Sequence, residues 1–380
     1  MKILFNISPA ERCATGAGTY ARELLTHLLQ VDTRNSYTIF SVKNPFGRTR
    51  GFPVQGENKN ISHVSIFFPY RYMNMLWNNF GSFPIERMAG VNDVAHSLDK
   101  IAPFTKTMKT VLTVHDMLWH VSETGKYRRK GLVYQQIMES IKRAGAIITN
   151  SEFSRDEISK YLPFAREKVH IIPLGVSERL FPVDKSAIPG AVHERYPWDD
   201  YILYLGTLSD PRKNVELIVD AYADLKKRKR VREKLLLCGA VSRRYNAGLL
   251  HSIKRAGLPD DIIVCSGWIP DSYISYIYNK ARIVLFPSLY EGFGLPVLEA
   301  MACGKPVITS DIPPMNEVAS DAAILIDPRD GKAMADSMEM LLSDTVLYRK
   351  MADKGLRRAK DFPWTRTARE TLSVYEKVCA

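Results

Sequence analysis

Long hydrophobic runs are missing: no stretch of the 380 residues approaches the roughly 18 apolar residues that cross a bilayer, and Met1–Ser8 is too short for a signal-peptide core. A cytoplasmic protein is expected. Cysteine is scarce. Cys13, Cys238, Cys265, Cys303 and Cys379 make an odd set with no Cys-x-x-Cys pair, which excludes a disulfide framework and a paired-cysteine zinc site. Cys238, Cys265 and Cys303 sit in apolar surroundings and read as small core residues. No Asp-x-Asp occurs, so a divalent-metal clamp on a diphosphate has no obvious ligands and no metal is expected. Solenoid repeats and low-complexity segments are absent too, and acidic residues (41) are outnumbered by basic ones (53).

What remains is ordinary globular material, 46% hydrophobic and 25% charged, long enough for two medium domains. The net charge of +12 is uneven: residues 1–177 hold 23 Lys and Arg against 14 Asp and Glu, residues 178–380 hold 30 against 27. Such a face attracts an anionic partner, whether nucleic acid, phospholipid surface or phosphorylated substrate. The basic run Lys226–Lys234 trails a helical pattern and lacks interleaved aromatics, so it reads as a solvated helix end, and no nucleic acid is expected.

Short apolar runs alternate with helical patterns throughout. Strands are predicted at 2–7, 37–42, 61–67, 91–96, 110–114, 146–149 and 169–172. A proline-rich stretch with Pro182, Pro189 and Pro197 reads as the linker. A second series puts strands at 201–205, 234–238, 262–265, 283–286, 306–309 and 323–326, with helices between them. The fold class is therefore α/β, with two doubly wound, Rossmann-like parallel sheets, and two such domains facing each other leave a cleft at the carboxyl ends of their strands.

Residues 283–309, IVLFPSLYEGFGLPVLEAMACGKPVIT, run from a strand through a glycine-rich loop into a helix that Pro296 can open at its first position. Glu291 sits in the loop, and Glu299 is expected in the first helical turn. Gly292 and Gly294 let a ligand approach the free amides of the helix start, a good seat for phosphate. The carboxylates then suit hydroxyls on either side of it, which describes a nucleotide sugar. The plainer alternative is that Glu299 complements the helix dipole and Glu291 is a turn residue.

In Leu205–Asn214, a strand end delivers Arg212 and Lys213 just before a helix. Both can grip phosphate, and as mere surface charge they would stand at the unfavourable end of that helix. Thr15-Gly16-Ala17-Gly18-Thr19-Tyr20-Ala21 matches a dinucleotide glycine pattern but lacks the acid at the end of the next strand, so it reads as a phosphate or acceptor loop without NAD. His115 falls at the carboxyl end of a strand, facing the expected cleft. Ser154 and Glu157 form a Ser-x-x-Glu capping pattern, and Ser151 is left as a cleft candidate. The aromatics Phe67, Phe68, Tyr70, Tyr72, Trp77 and Phe80 read as the packing face of a helix, ahead of an acceptor site or a membrane contact.

Together these motifs resemble retaining glycosyltransferase family 4, of the GT-B fold, over nearly the whole chain. The resemblance implies that Glu291 and Glu299, with seven residues between them, contact the donor sugar and the ribose. It places the amides of Phe293, Gly294 and Leu295 near sugar and phosphate, and Arg212 and Lys213 on the diphosphate. Trp268 and Ile269 then hold the base, Gly16 and Gly18 the first glycine loop, and His115 a sugar contact. An arginine that some members carry after the strand at 201 is Thr207 here. Implied domains are 1–175, closed by a returning helix at 364–380, and 176–363.

The expected activity is metal-independent, retaining transfer from a nucleotide diphosphate sugar, with GDP-mannose favoured, to a glycan or lipid-linked acceptor of a surface polysaccharide, lipopolysaccharide or glycolipid. Catalysis is assigned to His115, Glu291, Arg212 and Lys213. No further cofactor is expected, and the basic first domain suits peripheral contact with anionic membrane. A UDP-sugar transferase, a nucleotide-sugar epimerase, a phosphorolytic enzyme and a charge-driven RNA- or membrane-binding protein are the competing readings.

Overall fold

The computed structural model describes residues 1–8, 16–43, 60–121, 131–229, 231–241 and 246–380. Cys13 and Thr15 lie outside them, as does most of the loop 43–60. The chain divides into two compact units, Met1–Gly175 with Trp364–Ala380, and Val176–Pro363. The proline-rich stretch at 182–197 belongs to the second unit.

The first unit holds strands β1 (Lys2–Asn6), β2 (Ser36–Lys43), β3 (Ile61–Phe67), β4 (Val94–Ser97), β5 (Lys109–Thr113), β6 (Ala146–Thr149) and β7 (Val169–Ile171). They form one parallel sheet in the order β3-β2-β1-β4-β5-β6-β7. Phe5 of β1 lies between Ile39 of β2 and His96 of β4. The second unit holds β8 (Tyr201–Leu205), β9 (Leu235–Gly239), β10 (Ile262–Ser266), β11 (Ala281–Phe286), β12 (Val307–Ser310) and β13 (Ile324–Ile326), ordered β10-β9-β8-β11-β12-β13. Strands covered by helices on both faces must be apolar along their length rather than alternating. Ile3, Leu4 and Phe5 of β1 and Leu235, Leu236 and Leu237 of β9 are accordingly fully buried.

In both sheets the strand order reverses once, between β1 and β4 and between β8 and β11. At such a switch point the following loops diverge to opposite faces and open a crevice at the carboxyl edge.

Helix Trp364–Cys379 returns to the first unit. It buries Trp364, Thr367, Ala368, Thr371, Val374 and Tyr375, a three-and-four spacing that defines one helical face. Thr367 donates to the Pro173 carbonyl at 2.8 Å, and the Tyr375 hydroxyl lies 2.6 Å from Nδ1 of His96.

Three expectations are corrected. Phe67, Phe68, Tyr72 and Phe80 point to solvent; of the expected packing aromatics only Trp77, buried with Met73, Asn74 and Asn78 on helix Tyr70–Asn78, and Tyr70, packed on the same core, face inward. The cap of helix Glu152–Tyr161 is Ser151, which accepts from the Ser154 amide, so Ser154 is not the capping residue and Ser151 has a structural task. Cys265 is only half-buried, unlike Cys238 and Cys303. The basic run at the end of helix Val215–Arg228 is held in ion pairs: Lys226 with Asp261, Arg228 with Asp224 and Asp336, Lys229 with Glu339.

Candidate functional site

The switch point of the second unit lies between the loops that follow β8 and β11. They are stitched together backbone to backbone and side chain to backbone. The Leu289 amide donates to the Arg212 carbonyl at 2.7 Å, and the Asn214 amide group donates to the carbonyls of Pro287 (3.1 Å) and Pro328 (2.6 Å). Asn214 can reach both because it closes the turn Pro211–Lys213 in a left-handed conformation, φ 57°, which Asn tolerates.

That turn presents the two cations. Asp210 accepts from the Arg212 amide and grips its guanidinium through Nε (3.1 Å) and Nη2 (2.6 Å). Lys213 pairs with Glu291 across the two loops, and its ammonium sits 5.1 Å from the centroid of the Phe286 ring. The side chains of Lys213 and Glu291 are only 16% and 13% exposed. Each is thus poorly hydrated and depends on the other for compensation.

Helix Leu295–Ala302 begins beside this pair. Gly294 precedes it at φ 105°, and a Cβ there would lie 2.3 Å from Cε of the buried Met315, so glycine is needed on both counts. No side chain caps the helix, which leaves its first-turn amides uncapped by the protein's own side chains. Pro296 is its second residue rather than its first. Glu299 lies beyond the first turn, which holds no acid, so the dipole explanation for Glu299 falls away.

Glu299 instead accepts a hydrogen bond from the Tyr278 hydroxyl at 2.8 Å. Burial, and then the Glu299 charge, push the Tyr278 hydroxyl well above its ordinary pKa, so it keeps its proton and fixes the carboxylate. Sequence reasoning missed Tyr278. It is one of three tyrosines in Asp271–Lys280, and nothing local separates it from Tyr273 or Tyr276.

The rest of the carboxyl rim follows in strand order. Gly239 comes so close to the loop after β8 that a Cβ on it would overlap the Gly206 carbonyl oxygen at 1.6 Å. The Gly267 amide donates to the Gly239 carbonyl at 3.0 Å. Behind Gly267 stand Ile269, buried, and Trp268, 47% exposed. They follow β10, an edge strand two places from β8. Phe293 is buried with its ring edge-on to Phe362, 6.0 Å between centroids, while Gly292 is half-buried.

In the first unit, Gly16 and Gly18 are the first and third residues of helix Gly16–Val31 rather than loop residues. A Cβ on Gly16 would meet nothing within 4 Å, so no packing demand explains that glycine. Tyr20, one turn on, places its hydroxyl 3.0 Å from Thr113 Oγ1 and its ring edge-on to His115, 4.9 Å between centroids. The helix start and His115 are thereby brought together.

His115 Nδ1 lies 2.9 Å from the Asn150 side-chain nitrogen, and its Nε2 is buried with no partner among the described residues. Burial pushes its pKa down, outweighing the nearby Asp99 carboxylate, so the ring is neutral. With the Asn150 amide donating to Nδ1, the ring proton sits on Nε2, a donor without an acceptor among the described residues. Asn150, like Tyr278, was not singled out in the sequence. Among the described residues no three His, Cys, Asp or Glu side chains are grouped to hold a metal ion.

Two doubly wound units with these loops are the GT-B architecture. Sucrose-phosphate synthase from Thermosynechococcus elongatus shares the fold at a TM-score of 0.75 and 19% identity, over 99% of this chain and 98% of its own. Residues 191–358 match Glycosyl transferases group 1 and residues 14–179 match Glycosyltransferase Family 4. The chain belongs to this glycosyltransferase family and is an enzyme.

It is similar to O-antigen chain mannosyltransferase B of Escherichia coli, 28% identical over 388 residues, covering 99% of this chain and 100% of that protein. Serotype-specific mannosyltransferase WbdA of Escherichia coli is 29% identical over 277 residues, 71% of this chain but 34% of that longer protein. No helix among the described residues is long and apolar enough to cross a membrane.

Proposed function

We propose that the enzyme transfers a hexosyl unit, with mannose from GDP-mannose favoured, from a nucleotide diphosphate sugar to a hydroxyl of a glycan or lipid-linked acceptor in surface polysaccharide or lipopolysaccharide synthesis. The observation that carries this reading is the largely buried Lys213–Glu291 pair at the β8/β11 switch point, beside a helix start with no side-chain cap. The mannosyl and O-antigen part rests on the names of the two Escherichia coli relatives.

The diphosphate takes the place of Glu291 as the partner of Lys213, with Arg212 and the first-turn amides of helix Leu295–Ala302 around it. Glu291, freed, accepts hydroxyls of the donor sugar. Glu299, held by Tyr278, accepts from the ribose, and Trp268 offers its exposed ring to the base. Neutral His115 donates from Nε2 to the sugar.

The sugar C1–phosphate oxygen bond then breaks, and the acceptor oxygen bonds C1 from the same face, which retains configuration. Its proton leaves with the departing phosphate oxygen. Negative charge grows on the diphosphate as the bond lengthens, so fixed cations and amides act mainly on the transition state. No metal enters this scheme.

The test is a thermal-shift panel of GDP, UDP, ADP, dTDP and their sugars. A ligand at a hundred times its Kd stabilises by about 2.7 kcal/mol, so one nucleotide series should stand out, with GDP expected. Glu299→Ala should remove that shift and abolish transfer, with unliganded stability lowered only by the about 1–3 kcal/mol of the Tyr278 hydroxyl left unpaired. Unchanged transfer in Glu299→Ala overturns the site.

A further inference from the structure

Two thiols that take no part in the transfer chemistry face each other across the second sheet. Cys238 of β9 is the direct partner of Cys265 of β10, in a parallel register that runs from Leu235 with Ile262 to Gly239 with Ser266. Directly paired residues send their side chains out on the same face, and the Cys238 thiol hydrogen-bonds to the Cys265 sulfur. Neighbouring strands lie about 4.7–4.9 Å apart, inside the about 4.4–6.8 Å that a disulfide spans between α-carbons.

The two sulfurs are not equivalent. Cys238 is fully buried, and Cys265 is half-buried on an edge strand. The bond from Cys238 and then the Arg195 charge, against the effect of burial, hold the Cys265 thiol below its ordinary pKa, whereas the same bond and burial push Cys238 up. An acidic, reachable thiol beside a second one is the arrangement that reacts with peroxide, the second thiol resolving the first. Cys303, fully buried and pushed up to about 12 chiefly by burial, has neither property.

We propose that Cys265 and Cys238 are a peroxide-oxidisable pair whose disulfide displaces the loop after β10. The Cys265 thiolate attacks a peroxide oxygen, the O–O bond breaks, and the hydroxide released recombines with the thiol's proton as water. The Cys238 sulfur then bonds the sulfenic sulfur of Cys265, the S–O bond breaks, and hydroxide leaves with the Cys238 proton as a second water. Two thiols and one hydrogen peroxide thus give one disulfide and two waters, the sulfurs losing the two electrons that the peroxide gains.

β9 is pinned at this point. The Gly206 amide donates to the Cys238 carbonyl and the Leu208 amide to the Ala240 carbonyl, both at 2.9 Å, and between them Gly239 packs on the Gly206 carbonyl. β10 has no strand on its other side. Side-by-side β-carbons start near the strand spacing, and a relaxed disulfide holds them about 3.5–4.5 Å apart, so closing the bridge draws β10 toward β9. The Gly267 amide, two residues past Cys265, is held to the Gly239 carbonyl at 3.0 Å and is the contact that must shift. Trp268 and Ile269 follow it. That they hold the base rests on the donor reading, whereas the displacement does not.

The experiment treats the full chain with hydrogen peroxide, unfolds it, blocks the remaining thiols with N-ethylmaleimide and maps disulfides by peptide mass. Hydrogen exchange of the peptide containing Gly267 is followed in parallel, with and without dithiothreitol. The expected result is a Cys238–Cys265 link, lighter by two hydrogens and reversed by dithiothreitol, with loss of protection at Gly267 in the oxidised chain. The same link should form in Cys13→Ser with Cys379→Ser, which needs no change in the core. In Cys238→Ala, Cys265 should stop at the sulfenic acid and be trapped by dimedone.

Complete blocking of both cysteines after peroxide overturns the proposal, as does linkage of either one to Cys13 or Cys379 alone. A Cys238–Cys265 link with unchanged exchange at Gly267 overturns the displacement. None of these readouts uses a nucleotide, so failure of the donor reading, seen as no thermal shift in the reduced chain, is a separate result.

Discussion

Lys213 and Glu291 show how a catalytic role and a stability role are combined in one contact. Both are mostly shielded from water, so removing one leaves the other charged, buried and uncompensated. Lys213→Ala should lower kcat about a hundred- to a thousandfold, the loss typical of one fixed donor to a developing oxyanion, and should destabilise the second unit by about 1–3 kcal/mol. Adding Glu291→Ala should restore much of the stability and none of the rate, as read by urea unfolding and initial velocities. A double variant no more stable than Lys213→Ala would mean the pair is not energetically coupled.

His96 makes a pH-dependent contribution of the opposite kind. It is fully buried between the Tyr375 hydroxyl and Thr113 Oγ1 at 2.6 and 2.8 Å, and burial holds its pKa down at about 3. The unfolded chain takes up this proton near pH 6.5 and the folded chain does not. Stability should thus be full above about pH 6.5 and fall as pH drops toward 3, with a slope on the order of 1 kcal/mol per pH unit. Between pH 6.5 and 4.5, where most carboxylates stay charged, His96→Gln should flatten that slope. An unchanged slope in urea unfolding across this window would contradict the assignment.

At the scale of elements, the strands were the most legible feature because parallel strands buried on both faces leave unbroken apolar runs in the sequence. β3, β6 and β8 fall on their predicted residues, and the other strands have boundaries moved by one to three residues. The helix faces were less legible where polar residues are buried. Asn78 is inside because the Ser140 hydroxyl (2.9 Å) and Arg143 Nη2 (2.5 Å) donate to its Oδ1, and its own amide group donates to the Ala102 carbonyl (3.2 Å). All three partners lie far along the chain, so no local pattern announces them, and the aromatics beside it were read as the inward face.

The helix cap at Ser151 was misread for a related reason. Ser154–Glu157 has the capping spacing, yet the chain leaves β6 at Thr149 and turns at once, which makes Ser151 the residue with free amides ahead of it. The loop after β11 was legible because its glycines mark a tight entry from a strand into a helix. Gly294→Ala puts a Cβ at φ 105° and against Met315, at a cost of about 1–3 kcal/mol. It should shift the start of helix Leu295–Ala302 and abolish the nucleotide-induced thermal shift, while an alanine at Gly16, where a Cβ meets nothing, should cost little stability. Equal destabilisation by the two would show that the glycine at 294 is not conformationally required.

At the scale of the whole molecule, the second unit is one continuous stretch, whereas the first is completed only when the last seventeen residues return to it. Gly175 ends the first segment under Trp364, where a Cβ would lie 2.5 Å from Trp364 Cγ and backbone nitrogen, so the returning helix starts in contact with the chain it left. That helix seats Trp364 against Tyr20 and Tyr375 against Phe5 and His96, and buries Val374 beside them on the same face. At about 1.5–3 kcal/mol for each large side chain fully buried, these three alone contribute roughly 5–9 kcal/mol, comparable to the about 5–15 kcal/mol that holds an ordinary domain.

A chain ending at Pro363 should therefore lose the first unit's cooperative unfolding transition. The second unit, which the cut leaves whole, should keep its transition and its stabilisation by nucleotide. Scanning calorimetry with and without GDP separates the two. A surviving first-unit transition would mean that the sheet of β1–β7 is stable without its last helix. Loss of the nucleotide-sensitive transition would mean that the donor unit, too, depends on residues 364–380.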